Sequence, residues 1–123
     1  MTKEINSLVL AYLGDTIYED YVRLYLIKSG IANVNDLQKE SIKYSSAKAQ
    51  CEYVKRLMND NIFTEFELDI IKRARNHKSV SHPKNCDIVT YRYATGFEAL
   101  IGYLKLENNE NRIKEILENI LHD

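Results

Sequence analysis

The chain has 123 residues, a length that fits one domain with a hydrophobic core and leaves no comfortable room for two. Hydrophobic residues make up 45% of the chain and charged residues 28%. The net charge of −1 excludes a strongly basic protein that binds any polyanion through its overall charge. One proline and four glycines are too few for the turns of an all-β fold. No secretory signal is visible, and no segment approaches the roughly 20 apolar residues of a membrane span, so we expect a cytoplasmic protein.

Apolar positions recur at helical spacing along most of the chain. They predict helices over residues 5–28, about 37–58, 65 to about 76, about 87–106 and 111–121. The third helix is preceded by Thr64, and Glu67 follows three positions later, which is the pattern of a capping box. Residues 77–86 form the one convincing long loop. Because no segment alternates as a strand does, the sequence predicts a single all-α domain spanning residues 1–123.

Two acidic residues lie inside apolar helical segments, Asp15 within residues 8–19 and Glu98 within residues 95–104. A carboxylate withdrawn from water needs compensation from an ion pair, a hydrogen-bond network or a bound cation. One glycine precedes the first acid and two glycines flank the second, so the two helices can approach closely and bring the acids together. Two oxygen ligands between packed helices suit a hard ion such as Mg²⁺.

The spacing alone leaves a second explanation open, in which each acid is structural and pairs with a nearby cation such as Arg23 or Arg92. Glu19 lies four residues before Arg23, the favourable order for an ion pair within one helix. We therefore interpret Glu19 as the partner of Arg23 and do not count it among the candidate metal ligands.

A basic segment covers residues 72–84, which contain five Lys or Arg residues and no acid. Such a segment is either a solvated surface or a contact for an anionic partner. A helix end followed by a loop rich in Ser, Asn and Lys offers amides, hydroxyls and cations to phosphate groups. His77 and His82 would add phosphate contacts, since their spacing fits neither a metal site nor a catalytic pair.

Two motifs surround the acids, Leu10-Ala-Tyr-Leu-Gly-Asp-Thr-Ile-Tyr-Glu19 and Thr95-Gly-Phe-Glu-Ala-Leu-Ile-Gly-Tyr-Leu104. The first resembles the signature helix of the ribonuclease III family, and the second resembles the other metal-binding helix of its endonuclease domain. Further segments follow in the order that the Mini-ribonuclease III branch shows, namely residues 46–50, 72–76, 78–79, 83–87 and 90–93. The resemblance therefore covers nearly the whole chain.

The resemblance implies an all-α endonuclease domain of the ribonuclease III fold that forms a homodimer and cleaves double-stranded RNA with Mg²⁺. It implies one active site per protomer, cuts on opposite strands across a minor groove, short 3′ overhangs, and 5′-phosphate and 3′-hydroxyl ends. Members of this branch are associated with maturation of the large-subunit (23S) ribosomal RNA precursor, and a ribosomal protein that presents the substrate is a possible further partner. They lack a double-stranded-RNA-binding domain, so we expect none after Asp123.

Transferred residue by residue, the resemblance makes Asp15 and Glu98 the catalytic residues and the ligands of Mg²⁺. Thr95 is expected to orient a metal-bound water through its hydroxyl. The expected RNA contacts are Lys72, Arg73, Arg75, Asn76, Lys78, Ser79 and Lys84.

The chain departs from typical ribonuclease III enzymes, which carry four acids at the site. Ala11 and Thr95 stand where two of those acids are expected, and Leu8 stands where a further glutamate is expected. Waters and the substrate phosphate would then complete the shell of the ion, as Mg²⁺ readily permits. The departures keep two alternatives open: a non-catalytic module that binds double-stranded RNA, and a helical dimerisation protein whose acids form ion pairs.

Overall fold

The computed structural model describes residues 2–78 and 83–122, apart from the side chain of Lys3. After a short 3₁₀ turn at Thr2–Glu4, the helices are α1 (Ser7–Lys28), α2 (Val34–Ser45), α3 (Ala47–Asn59), α4 (Glu65–Arg75), α5 (Ile88–Leu106) and α6 (Glu110–Glu118). No strand occurs in this part of the chain, and the prediction of an all-α fold is confirmed. Among the same residues, no helix is long and apolar enough to cross a membrane.

The centre of the fold is the crossing of α1 over α5, where the two backbones touch. A Cβ atom built on Gly14 would lie 1.7 Å from the carbonyl oxygen of Glu98, and one built on Gly102 would lie 2.0 Å from the carbonyl oxygen of Leu10. Only glycine fits at these two contacts, because any other residue would force the helices apart. The predicted close approach is confirmed, and it places Asp15, the neighbour of Gly14, beside the turn of α5 that carries Glu98.

The core surrounds α5, which packs against α1, α3 and α4. Phe97, Leu100 and Ile101 are buried on it, and the ring of Tyr18 on α1 meets the ring of Phe97 edge to face at 5.6 Å. Gly96 lets α4 approach closely, since a Cβ there would lie 2.8 Å from the carbonyl oxygen of Ile71. Helix α5 is therefore held from three sides, and so is the backbone beneath Glu98.

The prediction of one helix over about 37–58 is wrong, because the segment forms two helices that meet at Ser46. The backbone of Ser46 is extended, with φ −64° and ψ 154°, and its hydroxyl accepts a hydrogen bond from the amide of Ala49 at 3.1 Å. This N-cap competes with continuation of the helix. The first of the two helices also starts earlier than predicted, because Asn33 caps it by accepting from the amide of Asp36.

Because of the break, the two helices pack against different parts of the fold. Helix α2 packs against α1, and α3 packs against α5. The first turn of α3 therefore lies beside the segment of α5 that carries Glu98, and Gln50 in that turn is buried.

The predicted capping box is confirmed at the start of α4. The hydroxyl of Thr64 accepts from the amide of Glu67, and the carboxylate of Glu67 accepts from the amide of Thr64. Arg112 on α6 donates to both carboxylate oxygens of Glu67 at 2.8 Å and to the carbonyl oxygen of Ile62. Burial by itself would raise the pKa of Glu67, but these hydrogen bonds outweigh it and lower the pKa. The pair fastens α6 to the beginning of α4.

Gly14→Ala tests the helix crossing. We expect it to lower the free energy of unfolding by about 3 kcal/mol, because the added methyl group overlaps the backbone of α5. At an ordinary helical position the same change stabilises by about 1 kcal/mol, so the expected sign is reversed. Urea denaturation followed by circular dichroism measures the difference.

Gly96→Ala is the matched control for that substitution, since its Cβ would meet the carbonyl oxygen of Ile71 at 2.8 Å and needs a smaller displacement. We expect a smaller decrease in stability than for Gly14→Ala. Equal or greater stability of the Gly14→Ala protein would show that the crossing is not a tight constraint.

Candidate active site

An open cavity of about 470 Å³ brings the two predicted acids together. It lies between α1, α5 and the junction of α2 with α3. The polar and aromatic residues that line it include Tyr12, Asp15, Gln50, Tyr91, Thr95 and Glu98. Asp15 and Glu98 are the acidic residues among those that line it. Within the described residues, no group of three or more His, Cys, Asp or Glu side chains is placed to hold a metal ion.

The two acids differ in their access to water. Glu98 is half-buried, as its apolar surroundings predicted, whereas Asp15 is exposed. The expectation that Asp15 is withdrawn from water is therefore wrong. Asp15 lies on the same side of α1 as Tyr12, one turn earlier, whose side chain is 82% exposed. This side of α1 faces solvent although its residues are largely apolar, so its apolar sequence does not indicate burial.

The two carboxyl groups interact directly. Burial in the cavity raises the pKa of Glu98, and the hydrogen bond and negative charge of Asp15 raise it further, to about 9. A hydrogen bond from Gln50 acts in the opposite direction. Without a cation, Glu98 therefore holds a proton at neutral pH, and the pair carries less negative charge than two isolated carboxylates.

Ion pairs do not explain these acids. Within residues 2–78 and 83–122, no ion pair includes Asp15 or Glu98. Arg23 pairs instead with Glu19, with 3.5 Å between Nε and Oε1, which confirms the predicted pair within α1. Arg92 forms no ion pair in that part of the chain, and its Nε atom is buried there without a hydrogen-bond partner.

Gln50 lines the cavity, and the sequence patterns did not identify it. It is 2% exposed, and its Nε2 atom donates to the carbonyl oxygen of Ser45 at 3.0 Å and to Oε2 of Glu98 at 3.1 Å. A signal was present, since Gln50 precedes Val54 and Leu57 by four and seven residues and thus falls on the buried face of α3. A polar side chain in such a position needs a polar partner, which here is Glu98.

Thr95 is buried and lines the cavity, a position from which its hydroxyl can contact a water in the cavity. Its hydroxyl donates to the carbonyl oxygen of Tyr91 one turn earlier, at 2.9 Å. The hydroxyl proton is therefore used within α5, and Thr95 can act on a water only by accepting a hydrogen bond from it. Its role in orienting a water stays a prediction.

The lysines of the basic segment face solvent. Lys72, Lys78 and Lys84 are exposed, at the end of α4 and in the loop that follows it. Arg73 forms an ion pair with Asp69, with 3.4 Å between Nε and Oδ2. These side chains are placed where a polyanion can reach them, but their contact with RNA stays a prediction.

Arg75 is more constrained than the other cations of the segment. Its Nη1 atom donates to the hydroxyl of Tyr93 on α5 at 3.3 Å, and its guanidinium lies 5.2 Å from the centre of the same ring. Asn76 ends α4 as its C-cap and accepts from Nε of Arg75 at 3.3 Å. Ser79 and His82, two further predicted contacts, lie outside the described residues.

Comparison with known proteins identifies the class. A family model described as the Ribonuclease III domain matches residues 8–109. A crystal structure of a protein from Fusobacterium nucleatum has the same fold, with a TM-score of 0.85 and 34% sequence identity over 98% of this chain and 95% of that one. The chain belongs to the ribonuclease III domain family.

Several similar relatives carry the name Mini-ribonuclease 3. The one from Thermoanaerobacter sp. (strain X514) is 47% identical over 96% of this chain and 84% of its own length. The one from Brevibacillus brevis is 50% identical over 92% and 83%, and the one from Staphylococcus aureus is 43% identical over 97% and 89%. These similarities confirm the resemblance to the Mini-ribonuclease III branch and show that the protein is an endoribonuclease.

Asp15→Asn tests the electrostatic coupling of the two acids. The substitution removes the negative charge beside Glu98, so we expect the pKa of Glu98 to fall from about 9 and to stay above its ordinary value because burial persists. Carboxyl ¹³C NMR of the protein in EDTA measures the titration. Glu19→Gln is the control, since Glu19 raises the pKa of Glu98 least among the named causes; an effect as large as that of Asp15→Asn would contradict direct pairing.

Proposed function

We propose that this endoribonuclease cleaves double-stranded RNA with Mg²⁺ held by Asp15 and Glu98. The observation that carries the proposal is the pairing of two carboxylates, one from α1 and one from α5, in one open cavity. No ion pair of the described residues neutralises either acid. The pair is therefore electrostatically incomplete in a way that a divalent cation would correct.

The two carboxylates of Asp15 and Glu98 are suitable ligands for Mg²⁺. Mg²⁺ is commonly held by one or two carboxylates, with waters and substrate phosphate oxygens in the other positions. Ala11 lies one turn before Asp15 and lines the same cavity, which leaves room there for waters where a larger acidic side chain would stand. When bound, the ion supplies an activated water at neutral pH and neutralises charge on the phosphate under attack.

The protein groups have distinct tasks in this proposal. Asp15 is exposed and would hold the ion from the solvent side of the cavity. Glu98 would hold it as a carboxylate only after losing the proton that its raised pKa lets it keep at neutral pH. Thr95 accepts a hydrogen bond from a water of the site, since its own proton is used within α5. Magnesium affinity should therefore rise with pH until Glu98 is ionised.

Recognition of RNA is proposed to follow its shape and charge. Lys72, Lys78 and Lys84 contact phosphates, together with Arg73, Arg75, Asn76 and Ser79. A-form RNA presents phosphates and 2′-hydroxyls but hides its base edges in a deep groove, so these contacts respond to duplex geometry more than to base sequence. Binding of this kind weakens steeply as salt rises.

We also propose the homodimer that the family resemblance implies. Val9 and Tyr12 lie one turn apart on the same face of α1 and are 56% and 82% exposed. Large apolar side chains at successive turns suit a subunit interface. Tyr12 also lines the acid cavity, so an interface there would adjoin the site.

The natural substrate is proposed to be the precursor of the large-subunit (23S) ribosomal RNA, with a ribosomal protein as a possible presenting partner and with 5′-phosphate and 3′-hydroxyl ends. This part rests on the Mini-ribonuclease 3 relatives and the family resemblance. The two alternatives lose support. The relatives are named as ribonucleases, which disfavours a non-catalytic module. Asp15 and Glu98 form no ion pair among the described residues, which disfavours a plain helical dimer whose two acids are paired.

Asp15→Asn and Glu98→Gln test the metal-ligand assignment. We expect each to reduce cleavage of a long double-stranded RNA by at least about 10³-fold, because each removes a charged ligand from the ion that stabilises the transition state. Gel analysis with and without Mg²⁺ measures the rate, and sedimentation and circular dichroism check that assembly and fold persist. Glu19→Gln should keep most of the activity; an Asp15→Asn protein nearly as active as the parent would remove the assignment.

Lys78→Ala combined with Lys84→Ala tests the proposed interaction with RNA. We expect weaker binding to every duplex sequence and a slope of log affinity against log salt that is shallower by about two, one for each phosphate that the lysines no longer neutralise. Fluorescence anisotropy in Ca²⁺, which avoids turnover, measures both quantities. The pair Lys39→Ala and Lys114→Ala is the matched control, since both lysines are exposed on other helices. If the slope of log affinity against log salt did not change, these lysines would not contact RNA, and the basic segment would be only a solvated surface.

A further inference from the structure

Gln50 is the buried polar side chain that joins the α2–α3 junction to the acid pair. It lies in the first turn of α3 and is 2% exposed. Its Nε2 atom is 3.0 Å from the carbonyl oxygen of Ser45, the last residue of α2, and 3.1 Å from Oε2 of Glu98. The amide therefore bridges the end of one helix and the carboxyl group on another.

Chemistry fixes the orientation of this amide. The carbonyl oxygen of Ser45 can only accept a hydrogen bond, so an amide oxygen of Gln50 turned toward it would meet lone pairs and no proton. Both hydrogens of Nε2 are thus used, one on Ser45 and one on Glu98. Gln50 has one way to lie, and Oε2 of Glu98 is held in one place by it.

The oxygen of the Gln50 amide, unlike its nitrogen, has no hydrogen-bond partner among the described residues. This atom, Oε1, is buried. A buried acceptor without a donor destabilises a fold, and an apolar side chain of the same length at this position would not carry that penalty. Packing therefore does not account for the presence of glutamine, whereas its two hydrogen bonds, to Ser45 and to Glu98, do.

We propose that Gln50 is a positioning residue of the cation site. It holds one oxygen of Glu98 from the buried side, so that the other oxygen is presented to Asp15 and to the divalent cation across the cavity. The junction of α2 and α3 contributes to this positioning, because the carbonyl oxygen of Ser45 at the junction accepts the other hydrogen bond of the amide. This inference rests on the proposed function and assigns to Gln50 a role toward the ion without direct contact.

Gln50→Met is the test, since methionine keeps the length of the side chain and removes the amide. We expect Mg²⁺ to bind the RNA-free protein at least about tenfold more weakly, as is typical when a group that orients a metal ligand is removed. A Mg²⁺ titration followed by the carboxyl ¹³C signals of Asp15 and Glu98 measures this affinity. Thermal unfolding in EDTA should shift only slightly, because loss of the two hydrogen bonds of Nε2 and removal of the unpaired Oε1 act in opposite directions.

Cleavage kinetics give a second readout. The Mg²⁺ concentration for half-maximal cleavage should rise about tenfold, whereas RNA affinity in the absence of Mg²⁺ should not change. Gln38→Leu, an exchange of an exposed glutamine on α2, controls for nonspecific effects and should alter neither. Gln50→Leu is the second variant, and it should behave as Gln50→Met does.

The outcomes separate this inference from the proposed function. If Mg²⁺ leaves the Asp15 and Glu98 signals of the parent protein unmoved, the proposed cation site fails, and the role of Gln50 fails with it. If the parent binds Mg²⁺ and both Gln50 variants bind it equally well, only the role of Gln50 is overturned. If both variants unfold in EDTA, the glutamine is required by the fold, and that result also overturns the inference.

Discussion

The close approach of the α1 and α5 backbones is the constraint on which the rest of the structure depends. Gly14 and Gly102 remove the side chains that would keep two helices at an ordinary separation. The residue after Gly14 then faces the cavity beside the turn of α5 that carries Glu98. The two acids are 83 positions apart in the chain, and a crossing without side chains between the helices is what brings them into one site.

The acid pair is a locally unfavourable element that the surrounding core supports. The raised pKa of Glu98 and the unpaired Oε1 of Gln50 both report groups that would be more stable elsewhere. Completely buried neighbours such as Phe97 and Leu100 supply the compensating apolar burial on the same helix. Such a conflict between local preference and global fold is expected where a site needs charge in a fixed place.

Much of this architecture follows from the sequence because its signals are local. Helical periodicity identified α1, α4, α5 and α6 to within a few residues, and the Thr64–Glu67 capping box was found from spacing alone. The sequence did not predict the break at Ser46, because the helical spacing of apolar residues continues across it. The break depends on one hydrogen bond, between the Ser46 hydroxyl and the amide of Ala49.

The site was only partly predictable, since burial and pairing depend on tertiary contacts. The two acids stood out as charges in apolar segments, but the apolar segment around Asp15 includes Tyr12, whose exposure no local pattern reveals. Gln50 gave a readable signal as a polar residue on the buried face of α3. Its partner, Glu98, is 48 positions away in the chain, and only the fold identifies it.

The contact of Arg75 with Tyr93 couples the basic end of α4 to the helix that carries Glu98. Tyr93 precedes Glu98 by five residues, which corresponds to about 7.5 Å along a rigid α-helix. An RNA strand gripped at Arg75 would therefore meet the cutting site at a distance set by that helix. Because Tyr93 and Glu98 share one helix, the spacing between a phosphate held at Arg75 and the acid pair would stay the same from one duplex to the next.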